Sequence, residues 1–189
     1  LSLELPEVRV KAKGRIYEIG SERMGVDAEA QSGPFDLSEG KRFIPYRIIT
    51  PDVSDPLFRA EGSGPVQILS VKLSGKISEI EHCDQPAYAH TLSIEMKANG
   101  ARLKLPWNLP PLEDVKGHLS FKDGHLKLRE VEGRVFHSLI DRANGTFYQL
   151  LLIPTLQIHG EGRIDLKDFP SLMKIEGLSD DLSEILSPI

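Results

Sequence analysis

The chain has 189 residues, a formal charge of -5 and one cysteine, Cys83. Its length allows one large β-domain or two small ones, each with a real core. The acidic balance argues against nucleic acid as a partner, which would want clustered Lys and Arg, and a lone cysteine excludes an intrachain disulfide scaffold.

In chain order, the first strands are expected at 7–19 and 23–30. Val10, Ala12 and Ile16 alternate there with Lys11, Lys13 and Arg15, the period-two pattern of a half-buried strand. Residues 31–41, with Gly33, Pro34 and Gly40, read as a long loop. A strand at 42–49 contains Pro45 and is therefore an edge or broken strand. Glu61-Gly62-Ser63-Gly64-Pro65 is the best internal boundary. The strand at 66–80 repeats the opening phrase, an alternating apolar run ending in Gly and a basic residue, at 71–77, and the phrase returns altered at 157–164. Recurrence of one phrase implies similar strands laid side by side.

Two hairpins follow. Residues 92–105 are expected to turn at Asn99-Gly100, pairing Met96 with Leu103 and Ile94 with Leu105, with Leu92 on the same face. Residues 115–128 are expected to turn at Asp123-Gly124, pairing Phe121 with Leu126 and Leu119 with Leu128. After Arg129 the apolar parity slips, which implies a bulge or a strand change near Glu130. Further strands are expected at 145–153 and 156–166. Asp168 is placed to cap a helix with Pro170 in its first turn and Gly177 at its end, and a second short helix spans 179–186. The fold class is all-β and mainly antiparallel, a curved sheet with a groove or a β-sandwich, built of repeated strand units with one or two short C-terminal helices. The segment 1–189 reads as a single β-rich unit, with a subdivision into 1–62 and 65–176 as the alternative.

Candidate chemistry is thin. His82, Cys83 and Asp84, near Glu81 and His90, have metal-ligand residue types without a zinc spacing. His137, Ser138 and Asp141 have the residue types of a hydrolase triad without a nucleophile elbow. The glycines precede strands rather than a helix and form no phosphate loop. The reading is therefore a protein with no catalytic residue, no metal and no cofactor. No apolar run approaches the roughly 18–20 residues of a spanning helix. The chain begins at Leu1 without a charged-then-apolar leader, so it is expected to be a piece of a longer protein.

The run 109–128, with Asp114-Val115-Lys116-Gly117-His118-Leu119-Ser120-Phe121 at its centre, and the run 145–169, with Gly160-Glu161-Gly162-Arg163-Ile164, resemble the repeat of the AsmA-like family of Gram-negative envelope proteins, which includes the AsmA, TamB and YhdP types. The resemblance covers residues 106–172; the N-terminal half departs from it, with Pro45, Pro51 and Pro56 interrupting strands. It implies a periplasmic segment of a protein anchored in the inner membrane by a part outside this chain. It also implies bridge-like lipid transfer, with an apolar β-groove for phospholipid acyl chains. On that reading the lipid-facing candidates are Leu92, Ile94, Met96, Leu103, Leu105, Leu119, Phe121, Leu126 and Leu128. The alternative is a structural or protein-interaction module that adds strands through an exposed sheet edge. A carbohydrate-binding sandwich is disfavoured by an aromatic content of 6%.

Overall fold

The alternating runs form strands, and the strands join one antiparallel sheet. The computed structural model describes residues 2–4, 8–40, 61–104, 110–149 and 155–172. Eleven strands lie in this sheet: β1 (Ser2–Glu4), β2 (Arg9–Tyr17), β3 (Gly25–Ser32), β4 (Pro34–Asp36), β5 (Glu61–Ser63), β6 (Pro65–Lys76), β7 (Leu92–Lys104), β8 (Leu112–Lys122), β9 (His125–Val135), β10 (Ser138–Tyr148) and β11 (Thr155–Arg163). The order across the sheet is β1-β2-β3-β6-β7-β8-β9-β10-β11, with β4 also on β6 and β5 also on β7. Every described strand belongs to this sheet, which is open, with β1 and β11 at its ends.

The Asp123-Gly124 hairpin forms as the dipeptide dictates. Both residues have positive φ, 51° and 75°, as a type I′ turn requires, and Leu119 faces Leu128 and Phe121 faces Leu126. The other expected hairpin does not form. Residues 92–104 are one continuous strand, paired with β6 on one side and β8 on the other. Gly100 has φ +92°, while Asn99 is not in the left-handed region, so the turn geometry is unmet. The dipeptide instead makes a β-bulge, marked by the register shift between Asn99 and Ala101. A thirteen-residue strand with two full partners forms more ladder bonds than a hairpin folded on itself, and tertiary pairing overrides the local turn signal.

The bulge at Gly100 is one of a series. Register shifts also fall between Ile68 and Ser70 on β6, between Glu113 and Lys116 on β8, and between Ile140 and Ala143 on β10. The parity slip expected near Glu130 is present, with Glu130 at φ 51°. Because the bulge adds one residue, Leu103 returns to the face that carries Met96 although seven residues separate them.

Two other expectations are corrected. The strand beginning near 66 ends at Lys76, and Ile77–Ile80 forms a single helical turn followed by a 3-10 turn at Pro86–Thr91. The Glu79 carboxylate accepts the Lys76 backbone N–H (3.3 Å), and the Ile77 N–H donates to the Met24 carbonyl (3.0 Å). These bonds take the chain off the ladder. The expected loop at 31–41 holds β4 and a helical turn at Leu37–Gly40. Asp36 fixes that turn by accepting the Ser38 N–H (2.9 Å), the Ser38 hydroxyl (2.6 Å) and the Gly64 N–H (2.9 Å). The strand at 42–49, Leu105, residues 150–153, Gly177 and the helix at 179–186 lie outside the described residues.

The buried core sits at one end of the strands, among β4, β6, β7 and β8 and the residue before β2. Val8, Phe35, Val66, Ala101 and Val115 form it, with Leu37, Leu103 and Leu112 among the half-buried residues packed against it. The turn after β4 brings Leu37 over Gly62, where a Cβ would clash with the Leu37 side chain.

Candidate functional site

In an antiparallel sheet, residues directly opposite each other share a face. One rung crosses the sheet through Ala12, Ala30, Val71, Ile94, Phe121, Leu126 and Phe147. The next crosses it through Ile68, Met96, Leu119, Leu128, Gly145 and Ile158. A third joins Ala28, Leu73 and Leu92, and beyond the bulges Leu103 faces Leu112, which faces Val135. The structure thus puts eight of the nine expected residues, Leu92, Ile94, Met96, Leu103, Leu119, Phe121, Leu126 and Leu128, on one apolar face; Leu105 is not described. It extends that face with Ile68, Val71 and Leu73 on β6 and Phe147 on β10. The alternation at 66–73 carried that signal in the sequence.

This face is only partly covered. All eight residues are half-buried, whereas Ala101 and Val115 in the core are 0% and 6% exposed. Toward the edges cover is lost, with Ile16 59% and Ile158 57% exposed. Since every described strand lies in one sheet, no second sheet among the described residues closes over the apolar side chains. The opposite face is charged and wet. Lys13 and Lys72 reach Glu29 at 3.0 and 3.8 Å, and Arg15 reaches Asp27 at 2.8 Å. Asp27 is held below the usual carboxylate range by the Ser74 hydroxyl and the Arg15 guanidinium.

The other polar candidates take structural places. Cys83 is buried, and burial, helped by the Asp84 charge, pushes its thiol up. His82 lies 3.4 Å from the Gln85 amide and His90 3.2 Å from the Ala87 carbonyl. Among the described residues no three His, Cys, Asp or Glu side chains converge as metal ligands would. Asp141 turns to Arg163 (3.0 Å) instead of to His137.

It is Asp168 that meets His137 and Ser138. Its carboxylate accepts the Ser138 hydroxyl (2.7 Å) and the His137 backbone N–H (2.8 Å), and lies 2.8 Å from His137 Nδ1. The Ser138 oxygen in turn accepts the Asp165 N–H (3.1 Å). The serine donates to the carboxylate rather than to the imidazole, so this cluster is a clasp and not a nucleophile–base pair. It joins the β9–β10 turn to the helical turn Phe169–Leu172. The helical turn starts directly after Asp168 with Pro170 in it, as expected, and the Asp168 carbonyl accepts the Ser171 N–H (2.9 Å), but the Asp168 side chain serves residues thirty positions upstream instead of capping the turn.

Burial pushes the Asp168 carboxyl up, but the hydrogen bonds from Ser138 and His137 outweigh it and hold the group at about 2. The folded value lies below the unfolded one of about 3.9. The clasp therefore contributes stability that is full above about pH 4 and is lost as pH falls through about 2. Asp168→Asn should lower Tm near neutrality and flatten the dependence of Tm on pH across that window. A slope equal to the parent's would assign the acid sensitivity to other carboxylates, such as Asp36.

No family model, curated protein or solved structure matches the chain.

Proposed function

We propose that this protein is a non-enzymatic lipid-handling segment, whose apolar sheet face holds phospholipid acyl chains as part of an AsmA-like periplasmic envelope protein anchored in the inner membrane. The observation that carries the reading is the apolar face that runs from β2 to β10, half-buried over β6 to β9 and exposed on β2, with no second described sheet over it. Each methylene removed from water contributes about 0.8 kcal/mol. Rows of Leu, Ile and Val thus hold a chain by many weak contacts without one tight site, which suits passage. The envelope setting rests on the sequence resemblance.

Native mass spectrometry of the purified protein should show copurified phospholipid. Leu119→Glu and Met96→Glu should leave the protein folded, because half-exposed positions let the carboxylate reach water. Lipid occupancy should fall roughly 30-fold, the loss of two to three methylene contacts. Absence of lipid from the parent protein, or occupancy unchanged in both variants, would overturn the reading. A second reading has its own support: every described side chain of β11 is exposed and its outer edge pairs with no described strand. Such an edge adds strands from a partner, and a defined oligomer without lipid in the same spectra would favour it.

A further inference from the structure

On the polar face, β9, β10 and β11 surround a depression of about 180 Å³. Its polar lining is Lys127, Arg129, Asn144, Thr146, Gln157 and His159. The register brings them together: Lys127 faces Thr146, Thr146 faces Gln157, and Asn144 faces His159. Lys127 and Arg129 have no ion-pair or hydrogen-bond partner among the described residues. The two amides have their acceptor ends occupied. Asn144 Oδ1 accepts the Glu130 N–H (2.9 Å), and Gln157 Oε1 accepts the Tyr148 hydroxyl (3.3 Å). Each thereby leaves its NH2 to donate. No carboxylate lines the depression, and the nearby Glu130 carboxylate lies 3.8 Å from Arg142.

The lining therefore offers two cations, two amide donors, a hydroxyl and an imidazole, with no carboxylate acceptor to match them. That inventory complements an oxyanion: a guanidinium binds two oxygens at once, and an ammonium adds a point charge. We propose that this depression is a phosphate-binding site, taking inorganic phosphate or the phosphate of a small monoester. It lies on the face opposite the apolar rows and does not depend on what those rows carry.

The test is an NMR titration of backbone amides with inorganic phosphate, then with glycerol 3-phosphate, against sodium chloride at matched ionic strength. The expected result is saturable shifts confined to β9–β11, with Kd on the order of 1 mM, that chloride does not reproduce. Lys127→Gln and Arg129→Gln should each weaken binding about tenfold, the effect of one charge-assisted hydrogen bond. Both side chains are exposed, and unchanged resonances elsewhere would verify the fold of each variant. Tighter binding of the ester than of phosphate would identify an esterified ligand, and the reverse order free phosphate. Shifts that grow without saturation, spread over all surface lysines, or survive the double substitution would overturn the proposal.

Discussion

Val115→Asp is expected to abolish folding. Val115 is 6% exposed and packs with Val8, Phe35, Val66 and Ala101, the only buried apolar cluster among the described residues. A carboxylate there has no partner, and burying it costs several kcal/mol, a large share of the roughly 5–15 kcal/mol that holds a domain together. Leu119→Asp is the control on the same strand and the same face. Its site is half-exposed, so the charge reaches water and the cost should stay at about 1–2 kcal/mol. Far-UV circular dichroism and thermal melting of the pair separate the core from the half-buried apolar face. If Val115→Asp melts as Leu119→Asp does, the core lies elsewhere.

Gly64→Val should be the most damaging glycine substitution at a strand junction. Gly64 has φ +91°, and a Cβ there would sit 2.9 Å from the Gly100 carbonyl oxygen and 3.1 Å from Ala101 Cα. Both neighbours are backbone and cannot rotate away. The residue also donates to Asp36 and accepts the Leu37 N–H (2.9 Å), so a displaced Gly64 loosens the turn that places Leu37. Strain and clash together should cost about 2–4 kcal/mol. Gly20→Val isolates the backbone term: Gly20 has φ +82° but open space around its Cβ position, so about 1–2 kcal/mol is expected. Urea unfolding of both variants checks the difference. Equal losses would mean that the β5–β6 junction yields without resistance.

The sheet was legible in the sequence wherever a residue's own neighbours decide its conformation. Alternation placed Leu119, Phe121, Leu126 and Leu128 on one face because the period of a strand is two, and Asp123-Gly124 named its own turn. The misreadings arise where distant chain decides. Asn99-Gly100 has the composition of a turn, yet β6 and β8 capture both of its flanks and leave only a bulge. The Phe136-His137 turn contains no Gly, Pro or Asn; Phe136 takes φ 53°, and Asp168, about thirty residues on, holds the next two donors. Ile77 and Ile80 stand at helical spacing, but the alternation of Leu73 and Gly75 runs into them without punctuation. Of the candidate face, the β7–β9 part was readable; its continuation over β3 and β6 depends on a pairing that spans residues 33–64, which no local pattern reports.

The pairing order from β6 to β11 follows the chain strand by strand, and this has a kinetic consequence. From β7 onward each strand closes a short loop onto the one made just before it, so ordering can start at the Asp123-Gly124 turn and spread outward like a zip, with little entropy lost at each step. The β3–β6 contact is the exception and should be the slow closure. A chain assembled this way behaves as a near-linear array, in which the stability of one strand is set by its two neighbours. Removing β11 would then strip cover from β10 alone, and the next strand inward would become the new margin without any change of partner farther in.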